Sequence, residues 1–102
     1  MIIVTGSVRA QAETIDDVLA LALEHVERSR GEAGCLLHSV HRDVEDPLRL
    51  VFLEHWADKA SLAAHFAVPA SGEFVTKASA LAAGPPTLEM YEAAPIDFAD
   101  LR

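Results

Sequence analysis

Gly34-Cys35-Leu36-Leu37-His38-Ser39-Val40-His41-Arg42-Asp43, then Val44-Glu45-Asp46-Pro47-Leu48, then Leu50-Val51-Phe52-Leu53-Glu54-His55-Trp56 is the stretch that decides the fold. Two runs rich in branched and aromatic residues flank an acidic turn in which Asp-Pro breaks the pattern. That arrangement predicts a β-hairpin with strands over 35–43 and 50–56. The same region, extended to His65, holds four of the five histidines, the only tryptophan and the only cysteine. A site built from side-chain chemistry belongs here.

Downstream, Asp58 predicts the cap of a short helix over 59–66, on which Leu62, His65 and Phe66 share a face at i, i+3 and i+4. Pro69 is expected to stop that helix. Ser71 is expected to begin another, with Phe74, Val75, Ala78, Leu81 and Ala82 along one side, ended at Gly84-Pro85-Pro86 by a left-handed cap. Thr87 to Glu92 reads as a fourth strand, and Pro95 to Arg102 as a tail carrying Ile96, Phe98 and Leu101. Upstream, Ile2 to Arg9 alternates as a first strand. Thr14 is the expected N-cap of a helix with Asp16 and Asp17 in its first turn and Ile15, Val18, Leu19, Ala22 and Val26 at helical spacing, ending before Gly31. His25, between Glu24 and Glu27, reads as solvated.

The order β-α-β-β-α-α-β is the split βαβ pattern of a ferredoxin-like α+β domain, a four-stranded antiparallel sheet with its helices on one face. One domain is expected over 1–102, with the core at about 2–93 and the tail at 94–102. Both sheet faces carry apolar residues: Ile2, Val4 and Val8 alternate with Ile3, and Leu50, Phe52 and Trp56 with Val51 and Leu53. Leu88 and Met90 oppose Tyr91 in the last strand. One helical layer covers one face, so a second copy of the chain is expected to cover the other in a twofold homodimer.

Sixteen acidic against eight basic residues leave a net charge of −8, which argues against nucleic acid as a partner because a phosphate backbone calls for a basic face. No apolar run approaches the length of a membrane-spanning helix. Met1-Ile2-Ile3-Val4-Thr5 looks like a strand rather than a leader, and a lone cysteine suits a reducing compartment, so a cytoplasmic location is expected.

Glu32-Ala33-Gly34-Cys35-Leu36, Val40-His41-Arg42-Asp43 with Asp46-Pro47, Phe52-Leu53-Glu54-His55-Trp56, Ala64-His65-Phe66 and Gly84-Pro85-Pro86 together resemble the antibiotic biosynthesis monooxygenase family of small dimeric α/β-barrel proteins. The resemblance runs over about residues 2–93. It implies the dimeric barrel and, among the family's several chemistries, a quinol-monooxygenase-like activity that needs neither cofactor nor metal. The haem-degrading branch uses an asparagine on the first strand, and this chain has no asparagine. Where that branch has a helical tryptophan this chain places His65, and where it has a further helical histidine stand Thr76, Lys77 and Ala78.

Cys35, between Gly34 and Leu36, reads as a small buried hydrophobe. His38, His41 and His55 lack the HxH or HxxxH spacing that a metal site favours, so no metal is expected. Glu54 shares its strand face with aromatics, where a carboxylate is costly to bury without a partner. His65, on the apolar side of its helix, is the expected partner and the expected general base, with Glu54 orienting it and Phe52, Trp56, Phe66, Phe74 and Tyr91 as pocket walls. The expected reaction joins a small electron-rich aromatic with dioxygen. A non-catalytic ligand-binding dimer, or an isomerase or lyase acting on a small carbonyl compound, would use the same pocket. Hairpin register decides whether His38 or His41 faces it.

Overall fold

The computed structural model describes residues 1–102. Its elements in order are β1 (Ile2–Arg9), α1 (Ile15–Ser29), β2 (Cys35–Arg42), β3 (Arg49–Trp56), α2 (Lys59–Ala67), α3 (Pro69–Leu81) and β4 (Thr87–Glu92), followed by a short 3₁₀ turn (Phe98–Leu101). The four strands form one antiparallel sheet in the order β2-β3-β1-β4, the ferredoxin-like α+β arrangement, and no helix is long and apolar enough to cross a membrane.

Hairpin geometry follows from its acidic turn. Asp43 accepts the Glu45 amide at 2.8 Å, Asp46 accepts the Leu48 amide at 3.3 Å, and Arg49 and Arg9 pair with Asp43 and Asp46 at 3.0 and 2.9 Å. The turn carboxylates thus satisfy backbone donors that the ladder leaves free. The register contains a shift: Cys35 pairs with Trp56, yet Leu37 pairs with His55 and His38 with Glu54, so Leu36 is the extra residue of a bulge. Because of that bulge Cys35 packs on the helix-side cluster around Trp56, while His38 and Val40 lie opposite Glu54 and Phe52. Neither regular alternation of β2 describes this strand. His38 turns inward and His41 outward.

On α1, Val18, Ala22, His25, Val26 and Ser29 are buried, a single stripe at helical spacing. Thr14 does not cap the helix through its side chain. Its hydroxyl donates instead to the Leu81 carbonyl at 2.7 Å, tying the start of α1 to the end of α3. Asp58 does cap α2, accepting the Ser61 amide at 2.8 Å. Pro69 begins α3 rather than merely ending α2, because its fixed φ and missing N–H suit the first helical position. The helix then leaves through Ala82 in an extended conformation, not through a left-handed Gly84, since Ala82 bridges to Ala10 and the Ala83 amide bonds the Arg9 carbonyl at 2.7 Å. The left-handed glycine is Gly34, with φ of 80°, and a β-carbon there would lie 2.1 Å from Ser61 Oγ. Gly34 therefore lets the N-terminus of α2 close down on the start of β2.

The helix-side core falls into two clusters. One is Val8, Ala10, Val18, Ala22, Val26, Leu50 and Phe52; the other is Ile2, Val4, Trp56 and Leu62. Along β3 the inward residues are Leu50, Phe52, Glu54 and Trp56, all buried, so Glu54 sits at the junction between the two clusters. Across the sheet, Ile3, Val51 and Leu53 are only half-buried and Tyr91 is exposed.

Candidate functional site

Four elements converge on Glu54. His38 comes from β2 directly opposite it, His65 from the last turn of α2, and His25 from α1; the loop after α1 adds Glu32. All three imidazoles are buried, with ring centroids 5.3 to 5.6 Å apart. Glu54 Oε1 accepts the indole N–H of Trp56 at 2.9 Å, and His38 Nε2 lies 3.3 Å away, within attraction but not aligned as a hydrogen bond. His65 Nε2 is 3.8 Å from the same oxygen. The other nitrogen of His65, Nδ1, meets Glu32 Oε1 at 2.8 Å. Of the two carboxylates, Glu32 makes the closer contact with His65.

Electrostatics assign charge states to this cluster. Burial pushes the Glu54 carboxyl up, but His38, the Trp56 N–H and His65 outweigh it and hold the group below its ordinary range, so Glu54 is an ionised carboxylate in a dry setting. Burial first, then neighbouring His38, His65 and Arg28, lower His25 to about 3, so that ring is neutral. His25 stacks on Phe74 at 4.2 Å with an interplanar angle of 9°, while Arg28 donates to its Nδ1 at 2.6 Å. Burial also pushes the Cys35 thiol up, away from nucleophilic character.

Beside the cluster lies a cavity of ≈ 230 Å³, walled by Phe52, Phe66, Phe74 and Leu88, with His65 and Glu54 among its polar groups. It is a small, mostly apolar chamber with a base and a carboxylate at one place in its wall.

The family model for antibiotic biosynthesis monooxygenases matches residues 1–77. The chain belongs to the antibiotic biosynthesis monooxygenase family. A structure described as an antibiotic biosynthesis monooxygenase is similar at 34% identity and a TM-score of 0.86, covering 93% of this chain and all of that one (100%). A Deinococcus radiodurans protein, a candidate antibiotic biosynthesis monooxygenase, superimposes with a TM-score of 0.90 at 26% identity, over 95% of this chain and 96% of its own. An uncharacterised protein of Synechocystis sp. is 32% identical over 93 residues, which are 91% of this chain and 63% of that protein, so the chain spans less than two thirds of this curated relative.

Within this antibiotic biosynthesis monooxygenase fold the six aromatic and ionisable residues singled out on β3, α2 and α3 separate into two groups. Phe52, Glu54, His65, Phe66 and Phe74 all border the cavity. Trp56 does not: it is fully buried behind Glu54, and its indole faces His65 at a centroid distance of 4.6 Å. Tyr91 also lies elsewhere, paired with Ile3 on the outer sheet face and bonded to Glu89, because its odd position in β4 turns it away from the helices. His25, expected in solvent, is instead part of the cluster. The signal was its place three residues after Ala22 and seven after Val18, on the buried stripe. Glu32 and His38 were out of reach of periodicity, since one sits in a loop and the other depends on the bulge at Leu36. His25, His38 and His65 each offer a nitrogen within 4.8 Å of the others, the one set of donors here that could hold a metal.

Proposed function

We propose that this family member is a cofactor-independent monooxygenase for a small electron-rich aromatic of the quinol type. The observation that carries the reading is His65 beside an apolar cavity with Nδ1 held by Glu32 at 2.8 Å, which leaves Nε2 as the proton acceptor. His65 removes a phenolic proton, and the electron-rich anion passes an electron to dioxygen. Collapse of the radical pair forms a carbon–oxygen bond. The resulting peroxide loses water as the imidazolium returns its proton. One oxygen atom enters the ring, the other leaves as water, and the quinol supplies all four electrons, so no external reductant is needed. The buried, unpartnered hydroxyl of Ser71 borders the same cavity and suits the second oxygen of a quinol.

Oxygen-electrode assays with a panel of one- and two-ring quinols test this reading. Consumption of one dioxygen per hydroxyquinone formed is expected. Turnover of a carbonyl compound in the absence of oxygen would move the site to the isomerase or lyase class, and tight ligand binding with no turnover would leave a binding protein.

The half-buried outer face supports a homodimer. Phe98 is 78% exposed, Leu101 68% and Ile96 66%, more than a folded chain ordinarily leaves in water along one short segment, and a second copy would cover them together with Ile3, Val51 and Leu53. An interface of roughly 1,200–2,000 Å² is expected. Sedimentation at low micromolar concentration should give twice the chain mass, and deletion of residues 95–102 should weaken association. A monodisperse monomer would remove the dimer from the reading.

A further inference from the structure

Acid–base chemistry at the cavity needs one imidazole, and the structure brings three together. His25, His38 and His65 are 6%, 2% and 2% exposed, come from three different elements, and place one nitrogen each within 4.8 Å of the others. Buried polar groups ordinarily find hydrogen-bond partners. Here neither ring nitrogen of His38 has one, and Glu32 Oε2 is also without a partner. Two carboxylates frame the cluster, Glu54 through the 3.3 and 3.8 Å contacts to His38 and His65, and Glu32 through the 2.8 Å bond to His65 Nδ1. A carboxylate on the far nitrogen of an imidazole is the usual outer support of a metal-bound histidine, since it fixes the tautomer that turns the other nitrogen's lone pair to the ion.

We propose that His38, His65 and Glu54, completed by His25, form a binding site for a divalent transition-metal ion. Imidazole with a single carboxylate suits zinc, nickel, copper or iron, whereas magnesium and calcium require a shell of oxygens. Four-coordinate zinc with bonds of 2.0–2.1 Å separates its donors by about 3.3 Å. His38 Nε2 and Glu54 Oε1 stand at 3.3 Å already, and His65 Nε2 at 3.8 Å from that oxygen is close to it. The imidazole donors all lie within 4.8 Å of one another, so the rings draw inward by at most roughly 1.5 Å on binding, toward that same spacing. His25 joins last. The Arg28 N–H donated to its Nδ1 at 2.6 Å leaves the proton of the neutral ring on Nε2, so neither nitrogen has a free lone pair until the guanidinium moves away. Arg28 also places a positive charge beside the incoming cation. A bound ion occupies the His65 lone pair and so silences it as a base; this last consequence rests on the proposed oxygenation, while metal binding does not.

The test uses the full chain, treated with chelator and dialysed, with Zn²⁺ for titration calorimetry and Co²⁺ as a spectroscopic probe. One ion per chain, visible Co²⁺ bands of nitrogen coordination and a rise in melting temperature with Zn²⁺ are expected of the parent protein. Glu32→Gln should weaken binding by about 10- to 100-fold, His38→Gln by more, and Arg28→Met should tighten it. The doubly substituted His41→Gln, His55→Gln chain, altered only on the outer sheet face, should bind as the parent does. Absence of the Co²⁺ bands in the parent overturns the site, as does a folded His38→Gln chain with unchanged affinity or binding that disappears only with His41 and His55. If His38→Gln fails to fold, the parent spectrum and the Arg28→Met affinity decide. Metal that binds without slowing oxygen uptake leaves the site standing and removes His65 from the role of base.

Discussion

His65→Ala is expected to lower the turnover of any quinol substrate by about 10² or more, the range of a positioned general base. Its ring is 2% exposed, so the variant will also lose stability, and the rate must be measured on the fraction shown to be folded. Two readouts separate chemistry from structure. Added imidazole, free to enter the space the ring vacated, should restore part of the rate in His65→Ala, which a purely structural histidine would not show. Glu32→Gln should lower kcat, though less than loss of the base does, because the carboxylate 2.8 Å from Nδ1 holds the ring in the tautomer that leaves Nε2 free to take the proton. Glu54→Gln acts differently. It leaves the Trp56 indole an acceptor but removes the charge that attracts His38 and His65, so its effect should fall on stability and on substrate affinity together. A folded His65→Ala chain working at the parent rate would assign the histidine to packing alone.

The fold was legible from the residues because each element carries its own period. Alternation marked β1 and β3, the 18/22/26 stripe marked α1, and Asp-Pro between two apolar runs marked the hairpin. Boundaries went astray where a residue has two local roles: Pro69 ends one helix and begins the next, and Gly84 stands where a left-handed cap belongs although the chain departs earlier through Ala82. The cavity's β3 and α2 contributors were visible as ionisable groups on apolar faces. The rest of the cluster was not, for a physical reason. One extra residue at Leu36 inverts which half of β2 faces inward, and nothing local in Cys35-Leu36-Leu37 announces it, since both alternations offer apolar residues. Glu32 lies in a loop whose path is set by Gly34 and by the seat that α2 takes against it, a tertiary fact. The histidine cluster therefore exists only once three elements have packed, and no spacing along the chain could have shown it.

Acid should destabilise the chelator-treated protein well before its carboxylates are all protonated. His25 titrates in the native state near 3, against an ordinary value of 6.5 that applies when the chain is unfolded. Between those values the unfolded chain holds a proton that the native chain refuses, so stability is lost as pH falls below 6.5, at up to ~1.4 kcal/mol per pH unit. Glu54 acts in the same direction at lower pH, since its native value is depressed and its contribution, present above the ordinary carboxylate range, fades as pH drops through that native value. The His25 part alone amounts to about 3 kcal/mol at about pH 4, a large share of the roughly 5–15 kcal/mol that holds a small domain together. Denaturant midpoints measured from pH 7.5 to 4 should therefore decline steadily once pH passes below 6.5. His25→Phe keeps a ring to stack on Phe74 and carries no titratable nitrogen, so the decline between pH 6.5 and 4.5 should flatten in that variant while the part due to Glu54 remains. A parent protein whose midpoint holds constant down to pH 4 would mean that the His25 ring gains its proton in the folded state, against the burial and neighbouring charge that the structure gives it.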